Sequence, residues 1–197
     1  MVMGHYATAL IPYAYNSQRK VAPFWMFLLA TQILDFIMLA FVFVGIESVI
    51  PHQFFQASFL NMKVDMTFSH DLLPVLGWSV GLAIFAGIIF KNSLAAVWVF
   101  SLIILHELFD LAVGFEHYIF GSNTQAFGFN LYNTQPVIGI IIEALICFSI
   151  LTWYLKKRSD QGAPVAKNVK IGLYVVLVGA TLGLLPMANQ PLSYFLG

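Results

Sequence analysis

The chain has 197 residues, of which 60% are hydrophobic and 9% are charged, and its formal net charge is zero. So few charges cannot cover the surface of a water-soluble domain, in which about a quarter of the residues are charged, and lipid is therefore the expected solvent. The zero net charge gives no support to nucleic-acid binding, and the single cysteine, Cys147, excludes an intrachain disulfide and a zinc site built from several cysteines.

Five apolar runs predict an all-α bundle of about five transmembrane helices, in a single domain that covers residues 1–197. The runs are residues 22–46, 70–90, 94–115, 135–155 and 171–187. A span needs about 20 apolar residues, and Pro186 is expected to end or kink the last and shortest run. The apolar residues 1–15 are too few to cross a bilayer, and they predict a short N-terminal helix that either enters half of the membrane or lies at its surface.

The basic residues predict which end of the bundle faces the cytoplasm. They precede the first run, separate the second from the third and separate the fourth from the fifth: Arg19, Lys20, Lys91, Lys156, Lys157, Arg158, Lys167 and Lys170. The positive-inside rule makes this end cytoplasmic, so that loops 47–69 and 116–134 face outward. The ionisable residues expected to be solvated in those loops are Glu47, His52, Asp65 and Glu116.

Several ionisable side chains fall inside or at the edges of the predicted spans. A charge at the bilayer centre costs at least ~2.5–3.5 kcal/mol, so such residues are candidates for a functional site. The candidates are Asp35, His70, Asp71, His106, Glu107, Asp110 and Glu143.

A count along the predicted helices places three of these residues at one depth. Asp35, His106 and Glu143 lie 13 to 15 residues from the basic end of their spans, which is about 20 Å at about 1.5 Å per residue. His5 reaches the same level if the N-terminal segment folds against the first span. His70 is expected to lie nearer the outer surface.

The third run carries two candidates on one face. His106 and Asp110 are spaced i, i+4, and this is a common way for one helix to supply two ligands to a metal. Glu107 is rotated from them by about 100° and need not join them. His117 lies too far up the axis to reach the same ion unless the helix breaks.

Two kinds of polar site explain such a layer of ionisable residues. Histidine and carboxylate without cysteine suit Zn, Mn or Fe, and a cation would neutralise carboxylates that cannot stay charged in lipid. A proton or ion pathway would use the same residue types, strung along the membrane normal. A single His or Asp can also simply hydrogen-bond a neighbouring helix. Clustering at one level favours the metal.

Five stretches, which span roughly residues 1–158, resemble a family of small bacterial inner-membrane proteins described as membrane-bound metal-dependent hydrolases. They are GHYATAL at 4–10, ATQILDFIMLAFVFVGIE at 30–47, TFSHDLL at 67–73, LHELFDLAVG at 105–114 and NLYNTQPVIGIIIEALI at 130–146. No single stretch is specific. The order of their GH, QxxD, SH, HxxxD and late Glu elements is fairly specific.

The resemblance implies a multi-pass protein of the bacterial inner membrane that holds a divalent metal ion. Its implied metal ligands are His5, Asp35, His70, His106 and Asp110. Glu143 matches an acidic position of the family in the fourth span. The chain departs from the family pattern at Asp71, where the family commonly has Ser, and at Gly114, where it often has a further His. Glu107 is also unusual for the family as the residue after its His.

The predicted function is a membrane-embedded metal-dependent hydrolase of a lipid or a lipid-linked phosphoester, with its site in the outer half of the bilayer. The ion, Zn or alternatively Mn or Fe, would activate water, and Asp71, Glu107 or Glu143 would serve as general base. Two alternatives stay open. One is a non-enzymatic subunit or metal-binding accessory of a membrane complex, and the other is a transporter or proton-conducting protein, although no inverted repeat is evident. Membrane lipid is the expected partner, and a partner membrane protein or a second copy stays open.

Overall fold

The protein is an all-α bundle, and in the part of the chain that the structure describes five helical segments are long enough to cross a membrane. The computed structural model describes residues 3–19 and 21–196. In chain order its helices are α1 (Gly4–Thr8), α2 (Leu10–Arg19), α3 (Phe24–Phe43), α4 (Leu72–Phe90), α5 (Ser93–Val113), α6 (Leu131–Thr134), α7 (Pro136–Asp160), α8 (Lys167–Tyr174), α9 (Ala180–Leu182) and α10 (Ser193–Leu196). Within the described residues, the five apolar spans are α3, α4, α5, α7 and the segment Lys167–Met187. They agree with the five runs predicted from the sequence and make this a multi-pass membrane protein.

Local signals in the sequence explain where the spanning helices begin and end. The Asn92 side-chain oxygen accepts a hydrogen bond from Leu94 N at 2.9 Å and so caps the first turn of α5. Pro136 is the first residue of α7, where its missing N–H costs no hydrogen bond. Pro186 lies in a 3-10 turn, Leu185–Met187, that ends the fifth span as expected.

The N-terminal segment is buried inside the bundle. Helices α1 and α2 both pack against α7, and α1 also contacts α3 and α5. Ala7, Ala9 and Ala14 have no solvent exposure, because small side chains allow the short helices to approach their neighbours closely. The segment therefore packs as a half-length element within the bundle, and not on its surface as an interfacial helix would.

The segments that carry the predicted cytoplasmic basic residues meet at one end of the bundle, whereas Lys63 lies in the loop between α3 and α4 at the other end. The Asn92 side chain, in the turn between α4 and α5, donates to Val21 O at 3.4 Å. Gln161, just after α7, donates to Ala14 O at 3.0 Å. These contacts join the three segments that carry the basic residues, as the topology prediction requires, although Lys20 lies outside the described residues.

The opposite end is covered by loops that contain short strands. The strands β1 (Ser48–Ile50) and β2 (Lys63–Asp65) form one antiparallel pair, and β3 (His117–Tyr118) and β4 (Ala126–Phe127) form another. Phe59 N donates to Met187 O at 3.0 Å, which ties the loop between β1 and β2 to the end of the fifth span. The loops therefore form a cap above the buried polar residues.

Candidate metal centre

Five ionisable side chains from four segments meet below this cap. His5 comes from α1, Asp35 from α3, His70 from the turn before α4, and both His106 and Asp110 from α5. In the described part of the chain, two overlapping triplets could hold a metal ion: His5, Asp35 and His106, and His70, His106 and Asp110. The donor atoms of each triplet lie within 4.8 Å of one another. We call these five residues the His/Asp cluster.

The separations of the donor atoms suit a single ion. His106 Nε2 lies 3.2 Å from Asp110 Oδ2 and 3.3 Å from His70 Nε2. His70 Nε2 lies 3.5 Å from Asp35 Oδ1, and His106 Nε2 lies 4.0 Å from the same oxygen. Two ligands bound at about 2.1 Å to one tetrahedral ion lie about 3.4 Å apart, so these distances require little rearrangement.

A hydrogen bond at Nδ1 of His106 orients the opposite nitrogen of the ring, Nε2, toward the cluster. His106 Nδ1 lies 2.7 Å from Thr31 O, and a carbonyl oxygen can only accept, so Nδ1 is the protonated nitrogen. In a neutral imidazole Nε2 then carries a lone pair. This lone pair lies close to the carboxylate of Asp110, which when ionised is also only an acceptor. A cation between the two atoms removes their repulsion, and the donor set therefore fits a metal.

His5 completes the cluster from the N-terminal helix. Its ring stacks on the ring of His106, with centroids 3.5 Å apart and planes 8° apart. His5 Nε2 lies 3.2 Å from Asp110 Oδ1. Complete burial, together with the neighbouring His106, lowers the pKa of His5 well below its usual range. The neutral imidazole is the form that binds a metal.

His70 lies just before the start of α4, and its side chain nevertheless reaches His106. The sequence places His70 at the start of the second apolar run, whereas α4 begins two residues later at Leu72. His70 sits in a turn in which its backbone N–H donates to Met66 O at 2.9 Å. This turn folds the ring back over the bundle until its Nε2 reaches His106.

Two of the carboxylates predicted as general bases bind backbone groups outside the cluster. Asp71 accepts hydrogen bonds from Tyr118 N at 3.0 Å and from Gly121 N, and so anchors the outer loop. Glu143 accepts from Met3 N at 2.6 Å and Gly4 N at 2.7 Å, and so holds the start of α1. Its other oxygen accepts from the hydroxyl of Tyr132. Both carboxylates position chain segments that border the cluster.

The third predicted base, Glu107, pairs with a histidine from the loop. Glu107 Oε1 lies 3.1 Å from Nδ1 of His117, and both side chains are buried. His117 Nδ1 is also 2.9 Å from His70 O, to which it donates. Helix α5 does break before His117, since it ends at Val113. The ring of His117 packs edge-on to the ring of His70, although His117 belongs to neither triplet.

Glu47 is a buried residue that sequence reasoning placed in solvent. Its exposed fraction is 3%, whereas His52, Asp65 and Glu116 are exposed as expected. Glu47 follows the end of α3 and accepts hydrogen bonds from the turn that carries His70. An acidic residue in a predicted loop carries no local signal of burial, so only the fold reveals this contact.

Gly114 cannot carry a side chain in this backbone. A Cβ built there would lie 2.7 Å from Asp110 O, and contacts this short do not occur without a backbone shift. The position at which the resembled family often has a further His therefore has no room for one here. His117 is the histidine that lies nearby instead.

A largely apolar cavity of about 270 Å³ adjoins the cluster on its outer side. Asp35, His70 and Asp110 line its polar end. Its apolar wall comes from α3, the first strand pair and the segment after α5: Met38, Leu39, Val49, Met62, Val64 and Phe115. Leu39 is 58% exposed on the outside of the bundle, so the cavity borders the surface that faces lipid.

Comparison of the chain with protein-family models, with curated proteins and with solved structures gave no match in any of the three. The chemistry of the His/Asp cluster and the shape of the adjoining cavity therefore carry the functional interpretation.

Proposed function

We propose that this protein is a membrane-embedded metal-dependent hydrolase of a lipid or a lipid-linked phosphoester, located in a bacterial inner membrane. One observation carries the proposal: a buried His/Asp cluster with metal-ligand spacing lies at the polar end of a largely apolar cavity. In this proposal the cluster holds the metal ion that promotes hydrolysis, and the cavity beside it takes up the apolar chain of the substrate. Neither feature is needed by helices that only pack together.

The ligands of the ion in this proposal are His70, His106, Asp35 and Asp110, with His5 closing the set from α1. Imidazole and carboxylate together suit Zn, with Mn and Fe as alternatives. When bound, such an ion supplies Lewis-acid activation of water and of the scissile group.

The residues of the chain bind and orient the substrate. The apolar wall formed by residues such as Met38, Met62 and Phe115 takes up an acyl or isoprenoid chain. The reacting group then lies against Asp35 and His70 at the polar end. Because the other members of the cluster are buried, the cavity is the side from which bulk water enters the site in this proposal.

Asp35 is the carboxylate best placed to accept a proton in this reaction. Its side chain is 28% exposed, against 8% for that of Asp110. Asp71 and Glu143 are occupied by backbone N–H groups, and Glu107 faces His117. In this proposal Asp35 binds the ion through Oδ1, the oxygen that faces His70 and His106, and its other oxygen takes the proton from a water molecule that enters through the cavity.

The position of the cavity favours a substrate from the outer leaflet. The basic residues mark the cytoplasmic end under the positive-inside rule, and the cavity lies at the other end, beneath the loops of the cap. A lipid entering sideways past Leu39 keeps its chain in an apolar environment throughout, which avoids the cost of extracting it into water.

Two measurements on the purified protein test this function. Elemental analysis should find about one divalent transition-metal ion per chain, and incubation with lipids and lipid-linked phosphoesters should release a water-soluble head group. The matched control, His106→Ala with Asp110→Ala, should lose both. Stoichiometric metal without hydrolysis of any lipid class would favour the metal-binding accessory, and absence of metal would reject the proposal.

A further inference from the structure

Glu47 is connected to the His/Asp cluster by a chain of hydrogen bonds. Its Oε1 accepts from the backbone N–H groups of Phe68 and Ser69, each at 2.8 Å. Its Oε2 accepts from the hydroxyl of Ser69 at 2.8 Å. The same hydroxyl oxygen lies 2.8 Å from Nδ1 of His70. The contacts thus run from Glu47 through Ser69 to His70.

The direction of these hydrogen bonds determines which nitrogen of His70 carries its proton. The Ser69 hydroxyl has one hydrogen, and Glu47 Oε2 and His70 Nδ1 both lie 2.8 Å from its oxygen. An ionised carboxylate can only accept, whereas an imidazole nitrogen can either accept or donate, so the hydrogen is directed to Glu47. With that hydrogen directed to Glu47, the hydroxyl oxygen can only accept from His70. Nδ1 of His70 is therefore the protonated nitrogen, and Nε2 holds the lone pair that faces His106.

We infer that Glu47 is a positioning residue that, through Ser69, holds His70 in the tautomer able to bind a metal through Nε2. The inference rests on the proposed function in that it takes His70 as a ligand. A ligating histidine is usually oriented by an acceptor at its other nitrogen, and loss of that partner commonly costs about 10–100-fold in metal affinity. Here the carboxylate acts through an intervening hydroxyl.

The location of Glu47 explains how it can act at this distance. It follows α3, which carries Asp35, and its hydrogen bonds hold the turn from which His70 projects. Glu47 N itself donates to Phe41 O at 3.2 Å, which fixes it to the end of that helix. A buried carboxylate needs hydrogen-bond donors to offset the loss of its hydration, and the turn supplies three of them.

Substitution of Glu47 by Gln tests the direction of the relay while preserving its shape. The Gln oxygen can still accept from the backbone of Phe68 and Ser69, but its NH₂ group can only donate to the Ser69 hydroxyl. That hydroxyl then donates to Nδ1 of His70, and the proton of the imidazole moves to Nε2. We expect Glu47→Gln to weaken Zn²⁺ binding by about 10–100-fold.

A double-mutant cycle separates this role from simple support of the turn. Ser69→Ala keeps both backbone hydrogen bonds of Glu47 but removes the relay, and it should weaken Zn²⁺ binding less than Glu47→Gln does. In the Ser69→Ala background, Glu47→Gln should cause no further loss. Glu116→Gln, which removes an exposed carboxylate that bonds Tyr118 in the outer loops, is the matched control and should bind Zn²⁺ normally.

Nitrogen-15 NMR of histidine-labelled protein, freed of metal, reports the tautomer directly. The His70 signals are assigned by their loss in His70→Gln. The wild type should show His70 protonated at Nδ1, and Glu47→Gln should show it protonated at Nε2. An unchanged tautomer in Glu47→Gln, or an equal further loss of affinity in the Ser69→Ala background, would overturn the inference. If Glu47→Gln does not fold, Ser69→Ala alone must give a mixture of tautomers and weaker binding.

The two proposals fail in different ways. A wild type that binds no Zn²⁺ but shows the expected change of tautomer would reject the metal-dependent function and leave the relay intact. A wild type that binds Zn²⁺ with an affinity indifferent to Glu47 and Ser69 would reject the relay and leave the metal site intact.

Discussion

His5 and His106 lie ring on ring, with centroids 3.5 Å apart, although one belongs to the first short helix and the other to the third spanning helix. The contact joins α1 to the cluster, because His5 also reaches Asp110. The stacking explains how the two rings pack together. It does not explain why Nε2 of His5 lies beside the carboxylate of Asp110.

Replacement of His5 by Phe should separate these two contributions. Phe keeps the stacked ring and removes Nε2, so the fold should be retained while metal affinity falls by at least about 100-fold, more than the 10–100-fold typical of indirect contacts. His5→Ala should in addition lower the free energy of unfolding by about 1–3 kcal/mol, since it leaves a cavity. Metal titration and thermal melts in detergent measure the two effects. Normal metal affinity in His5→Phe would restrict His5 to packing.

Removal of the metal should destabilise the whole bundle. A ligand present at about 1,000 times its Kd stabilises the folded state by about 4 kcal/mol, so a strong chelator should lower the melting temperature and added metal should restore it. His106→Ala combined with Asp110→Ala should melt at a temperature that the chelator does not change. A wild-type melting temperature that is unaltered in protein shown to be metal-free would contradict a structural role of the ion.

Asp110→Asn should lose metal affinity without losing the fold. The amide fits the volume of the carboxylate and costs less to bury than a charge without a counter-ion. The metal-free variant should therefore be at least as stable as metal-free wild type, and the order should reverse when metal is present. Melting curves with and without chelator give this comparison, and a variant that is less stable than wild type in both conditions would show that Asp110 acts mainly through packing.

Leu39→Trp should obstruct the cavity from the lipid side. The larger side chain would occupy the mouth between α3 and the cap, so turnover of a long-chain lipid should fall on the order of tenfold, equivalent to about 1.4 kcal/mol. A short-chain, water-soluble substrate should be less affected. Leu29→Trp, also on α3 and also exposed but outside this cavity, is the control. Equal effects of the two variants would indicate that lipids do not enter past Leu39.

Cysteine labelling should establish the orientation of the bundle. Ser159, which follows the basic residues at the end of α7, and Asn123, in the outer loop, are both exposed. The native Cys147 is buried. A membrane-impermeant thiol reagent applied outside intact cells should modify Asn123→Cys and leave Ser159→Cys unmodified. The opposite pattern would invert the topology and place the cavity at the cytoplasmic leaflet.

The spanning helices and part of the cluster are determined by the sequence itself. Hydropathy locates a span because the length of an apolar run is a local property. The helical repeat alone places His106 and Asp110 on one face, where His106 Nε2 lies 3.2 Å from Asp110 Oδ2. The count of residues from the basic end brought Asp35 and His106 to one level, and their donor atoms are 4.0 Å apart. Helical rise makes this count reliable over a straight span.

Only the tertiary structure decided what the remaining ionisable residues do. His70 reaches the cluster and Glu47 is buried because irregular segments fold back over the ends of the helices, and no periodicity in the sequence describes such segments. Asp71, Glu107 and Glu143 have the burial expected of intramembrane carboxylates, yet their oxygens face the loop backbone, His117 and the start of α1. The group that a buried carboxylate binds comes from a segment that is distant in the sequence. The residue type and the predicted depth of the carboxylate therefore do not reveal its partner.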